Sequence, residues 1–181
     1  MSDTLNDFYE MVEDLETAMF TTRRPDGRLV SRPMANQVRA EGADLWFVTS
    51  EDSEKVEEIN FDPQVNLAYY KDGTREWVSV SGKATLSRDR ARIRELYRPD
   101  WKIYFEDEGG AKDGSEDDPR FVLIGVEIES AMFMEVTKPR PVVLFELARG
   151  FVTGARPDIA ETHLLTEDEV GKSRAEGSEN D

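Results

Sequence analysis

Leu5, Phe8, Tyr9, Val12 and Leu15 recur at steps of three and four residues, which predicts an amphipathic helix over residues 3–16. The period then changes to two. "TAMFTT" (17–22) and "LVSRPMANQV" (29–38) flank "RRPDGR", where proline fixes φ and glycine supplies the positive one, so the pair reads as a β-hairpin. "LWFVTS" opens a third strand at Leu45, and a helix after it is broken at Pro63 before a fourth strand over 65–70. "REWVSVSGKATLS" (75–87) sets Trp77, Ser79 and Ser81 on one face and Val78 and Val80 on the other. "RDRARIRELY" returns to helical spacing, "FVLIGVEIESAMFMEV" (121–136) reads as a strand pair or one bent strand, and "PVVLFELARGFVTG" as a helix closed by glycine.

Two stretches lack such a pattern. Residues 106–120, "EDEGGAKDGSEDDPR", predict a mobile loop, and the polar tail 166–181 predicts disorder after a folded unit spanning 1–165. Strands joined mainly by hairpins, with helices between and at the ends, argue for a small antiparallel barrel of α+β type rather than a doubly wound parallel sheet.

Composition narrows the chemistry. A formal net charge of −16 over 181 residues, with no basic block, opposes binding to nucleic acid or anionic lipid. The chain has no cysteine, which removes disulfides, thiol nucleophiles and cysteine metal sites. The acidic N-terminus carries neither a signal-peptide pattern nor a run of roughly 20 apolar residues, so a cytoplasmic location is expected. The single histidine, His163, sits in polar surroundings and reads as a bystander; one histidine builds neither a multi-histidine metal site nor an internal Ser-His-Asp triad.

The stretch "FVTSEDSEKVEEI" (47–59) remains. A helix beginning near Asp52 or Ser53 leaves backbone N–H groups unpaired beside Thr49, Ser50, Ser53 and Lys55, a set suited to an anion such as phosphate. Read alone, the same residues are equally a capped helix with solvated charge, and Glu51, Asp52 and Glu54 would repel an anion if they faced it. Upstream, Arg32 precedes Pro33, which belongs at a sheet edge, and serves either as a solvated side chain or as an anion ligand.

Taken in order, "AMFTTRRPDGRLVSRPM", "LWFVTSEDSEKVEEINFDPQVNLAYY" and "WVSVSGKATLSRDRARIRELY" resemble the pyridoxamine 5′-phosphate oxidase-like FMN-binding family, closest to its bacterial general stress protein branch. The resemblance covers roughly residues 5–105 and, more loosely, the strand after 121. It implies a mainly β, six-stranded antiparallel split barrel with flanking helices, dimeric, with FMN (or FAD) between subunits. It further implies that Arg32 and Lys55 neutralise the flavin phosphate and that Thr49 and Ser53 donate to it. Ser50 and Val48 would lie beside the ribityl chain and Pro33 and Met34 beside the ring. By the resemblance, Trp77 stands where a glutamine contacts the flavin from the partner chain, and would either stack on the flavin or pack as a core aromatic. The aromatics of "WKIYF" (101–105) wall the cleft or belong to the core.

Departures from the pattern bear on function. Gln37 stands near the position of the substrate-gripping lysine of the vitamin oxidases, Glu54 replaces an arginine, and their C-terminal Arg-x-His segment has no counterpart. The expectation is therefore flavin binding without pyridoxamine phosphate oxidation. No catalytic residue is assigned and no metal is expected. Three functions stay open: a flavin-dependent oxidoreductase, a flavin-sequestering stress protein, and an interaction module without ligand.

Overall fold

A computed structural model describes residues 3–154 and 159–171. The elements are α1 (Asp3–Leu15), β1 (Thr17–Arg23), β2 (Leu29–Ala35), β3 (Leu45–Ser50), α2 (Glu54–Phe61), β4 (Gln64–Tyr70) and β5 (Trp77–Ser87), then α3 (Arg90–Leu96), a 3-10 turn (Pro99–Tyr104), β6 (Phe121–Glu135), α4 (Arg140–Thr153) and β7 (Glu161–Thr166). All strands pair antiparallel in the order β2-β1-β4-β5-β6-β3, with β7 added to β6. The result is a half-barrel with flanking helices, in keeping with the expected split barrel but with seven strands instead of six, β7 being the addition.

Its curvature has a local cause. β6 is one bent strand whose register against β5 shifts between Ser81 and Gly82. A Cβ on Gly82 would lie 2.3 Å from the carbonyl oxygen of Glu127, so only glycine permits this approach. The long strand can then pair with β3 at its start and with β7 at its end.

Alternation sorts the two faces. Ala18, Phe20, Leu67, Tyr69, Val78, Val80, Ala131 and Phe133 point inward and are covered by Leu5, Phe8, Tyr9 and Val12 of α1. Each such large side chain contributes about 1.5–3 kcal/mol by leaving water. A second cluster joins Trp46, Ile93, Leu96, Trp101, Phe105, Phe121 and Leu123 between β3, β6, α3 and the 3-10 turn.

The opposite face of the sheet is unusual for so charged a chain. Cross-strand register lines up Pro33, Met19, Ala68, Ser79, Met132 and Leu164 in one row. The rows beside it contain Ser31, Thr21, Asn66, Ser81, Ser130 and Thr166 on one side, and Ala35, Thr17, Tyr70, Trp77, Met134 and Thr162 on the other. None of these residues is charged.

Three expectations are corrected. β2 stops at Ala35 rather than at residue 38, because Asn36 turns inward to donate to Val12 O at 2.9 Å and accept from the Tyr69 hydroxyl at 2.8 Å. The segment 106–120 is tied down rather than mobile: buried Arg120 binds Asp118, Glu108 and the Glu106 carbonyl, while Arg94 binds Asp117. Residues 167–171, expected to be disordered, are helical with Val170 fully buried. The rest of the predicted disordered tail, 172–181, lies outside the described residues. No described helix is long and apolar enough to cross a membrane.

Candidate functional site

β3 ends where its side chains turn polar, and Ser53 then caps α2, its Oγ accepting from the Lys55 backbone N–H at 3.4 Å. A cavity of about 410 Å³ opens beside this junction. Thr49, Ser50, Ser53 and Lys55 supply its polar lining, Pro33, Met34, Ala35 and Val48 its apolar flank, and Trp101, Tyr104 and Phe105 an aromatic wall. Thr17, Gln37 and Asp100 complete it. Of the nine residues singled out in the sequence for a cofactor, the fold gathers seven around one cavity: Pro33, Met34, Val48, Thr49, Ser50, Ser53 and Lys55.

The electrostatics favour an anion. The Lys55 ammonium is half-buried and, among the described residues, has neither a hydrogen bond nor an ion pair. Burial first, and the nearby charge of Arg32 second, hold its pKa below the ordinary lysine value, against the opposing pull of Glu58 and Glu54. The hydroxyls of Thr49 and Ser50 likewise have no side-chain hydrogen bond among the described residues. The acids that could have opposed an anion face elsewhere: Glu51 binds Arg88, with Nε 2.7 Å from Oε2, and Asp52 and Glu54 are exposed and absent from the cavity lining.

Arg32 and Trp77 lie apart from this lining. Arg32 turns to buried Glu58, 2.8 Å away, and donates to the Thr22 hydroxyl at 2.7 Å, which in turn donates to Glu58 at 2.6 Å. Its charge adds to burial in holding the Lys55 pKa down. Trp77 sits on the uncharged face between Tyr70 and Met134.

Sequence reasoning missed the role of Glu58, which is 3% exposed. The signal was present, since Glu58 falls between Val56 and Ile59 on the buried side of α2. Gln37 was read only as a missing lysine. Its Oε1 accepts the Trp101 indole N–H at 2.9 Å and its Nε2 donates to Ala35 O at 3.1 Å, so the amide holds an aromatic wall in place.

An unpaired cation with free hydroxyls, joined to apolar and aromatic walls, fits a molecule with one anionic group and a flat body. Residues 3–158 match the family described as "Pyridoxamine 5'-phosphate oxidase like". The chain belongs to this family. It is 32% identical over 178 residues to the protein bli-3 of Neurospora crassa, covering 97% of this chain and 85% of that one. Among solved structures, a protein of the general stress protein 26 type from Jannaschia sp. CCS1 superposes with a TM-score of 0.71 at 24% identity, over 92% of this chain and 99% of the other. The general stress FMN/FAD binding protein of Xanthomonas citri superposes with a TM-score of 0.57 at 24% identity, over 70% and 84% of the two chains. Those structural likenesses establish the split-barrel fold of the family in this chain.

Proposed function

We propose that this chain binds FMN with its phosphate at the β3–α2 junction and acts as a flavin-dependent oxidoreductase of the general stress type. The observation that carries the reading is Lys55, a half-buried ammonium with no partner among the described residues, beside free hydroxyls in a cavity. A bound phosphate would restore what burial takes from that ammonium. Thr49, Ser50 and Ser53 add donors, while Pro33, Met34 and Val48 offer apolar contact to a flat ring. The flavin would supply the electron-transfer chemistry, and the chain its binding, orientation and shielding. Pyridoxamine phosphate is a poor second ligand, because Gln37 is committed to Trp101 and Ala35 and no further cation lines the cavity.

A second copy of the chain completes this reading. Thr17, Pro33 and Ala35 belong both to the cavity lining and to the uncharged sheet face. A homodimer formed through that face would therefore cover the cavity mouth without burying a charge. The lack of cysteine fits a cytoplasmic site of action.

Mass spectrometry of the small molecule released on denaturing the purified protein tests the proposal and separates FMN from FAD. FMN should be released, and flavin-free protein should quench FMN fluorescence on titration. Protein that releases no flavin and leaves added FMN fluorescence unchanged would sink the reading.

A further inference from the structure

The aromatic wall of the cavity has a construction that phosphate binding does not use. Trp101 lines the cavity yet is only 2% exposed, and Gln37 fixes its indole N–H. Edge-on contacts from Tyr97 and Phe121, with centroids 5.5 and 5.1 Å away, hold the ring from its flanks. Tyr104 also lines the cavity but is 76% exposed, and no ring or hydrogen-bond partner holds it among the described residues. The exposed phenol ring of Tyr104, next to the fixed Trp101 in the cavity lining, offers a flat face to another ring.

Charge defines what that ring can carry. The charged side chains lining the cavity are Lys55 and Asp100. Once Lys55 is committed to a flavin phosphate, no lining cation is left for a second anion. Asp100, half-exposed with Arg98 3.5 Å away, adds repulsion that its neighbour only partly offsets.

Resting on the flavin reading above, we propose that the wall formed by Trp101 and Tyr104 is a subsite for the second reactant, and that this reactant is a planar aromatic molecule without negative charge. Flat, uncharged quinones belong to this class. The absence of cysteine means that a quinone probe meets no thiol to arylate.

The test titrates FMN-loaded protein by calorimetry with 1,4-naphthoquinone and with 1,4-naphthoquinone-2-sulfonate. The neutral quinone should bind about tenfold more tightly than the sulfonate, the size of a like-charge contact near a screened surface. Asp100→Asn should narrow that gap. Tyr104→Ala should weaken naphthoquinone binding by roughly three- to tenfold, in line with one aromatic contact, a larger factor than its effect on FMN affinity. Equal or tighter sulfonate binding, or no naphthoquinone binding, would overturn the proposal. So would a Tyr104→Ala variant that loses FMN affinity and keeps naphthoquinone affinity, since the wall would then hold the flavin ring itself. If FMN fails to bind, the flavin reading falls separately, and the same two titrations on flavin-free protein still decide whether the wall prefers the uncharged ring.

Discussion

Replacing Lys55 by methionine keeps the length of the side chain and removes the one cation that lines the cavity among the described residues. A hydrogen bond to a charged group contributes about 1.5–3 kcal/mol, so FMN affinity should fall roughly 10- to 150-fold. Apo stability should move the other way. The folded-state pKa of Lys55 is lowered, chiefly by burial, so its charged form is disfavoured by folding. That penalty is fully present below the depressed folded pKa and vanishes above the unfolded value of about 10.4. Apo Lys55→Met should accordingly melt no lower than wild type near neutral pH, and any advantage should shrink as pH rises toward that value. With FMN at a hundred times the wild-type Kd, ligand stabilises wild type by about 2.7 kcal/mol; a hundredfold weaker variant keeps about 0.4 kcal/mol. Fluorescence titration gives the Kd values and thermal melts with and without FMN give the stabilities. An FMN Kd within threefold of wild type, or a marked loss of apo stability, would refute the assignment.

Glu58→Ala should destabilise the apo protein by about 3–5 kcal/mol in urea titration, because it strands Arg32, whose side chain is only 20% exposed. Replacing Arg32 and Glu58 together by apolar residues should cost less than that single change, and an additive loss would argue against coupling. Asp118 is pushed up by burial, but bonds from Arg120 and from the Arg120 and Gly114 N–H groups overcome this and hold it at about 2. Its contribution, up to about 2.5 kcal/mol, is present above the unfolded carboxylate value and is lost as pH falls toward 2; Asp118→Asn should flatten the stability profile between pH 5 and 2. Gly82→Ala forces a backbone shift at Glu127 and should cost about 1–3 kcal/mol or leave the protein insoluble, as expression and melting would show.

Local patterning made much of the architecture legible. The period of two in β1, β4 and β5 and the three-and-four spacing of α1 are written in adjacent residues, as is the polar turn from Thr49 to Lys55. β7 escaped because "ETHLLT" offers only Leu165 to the core, and pairing with a strand nearly thirty residues upstream makes it a strand. The charged segment 106–120 read as a mobile loop because no local pattern shows that Arg120 pairs with Asp118 and Glu108 inside it, and the Asp117 partner, Arg94 on α3, is distant in sequence. Arg32 was read as a solvated side chain or an anion ligand, but its partner Glu58 lies on α2, and nothing near Arg32 in the chain names it.

The uncharged sheet face has a kinetic consequence. None of the residues in its three rows is charged, so two copies of this acidic chain would repel one another least if they met face to face. A pair assembling through it gains no electrostatic steering, only a shielded route of approach. Added salt, which slows the encounter of oppositely charged partners, should therefore speed this one.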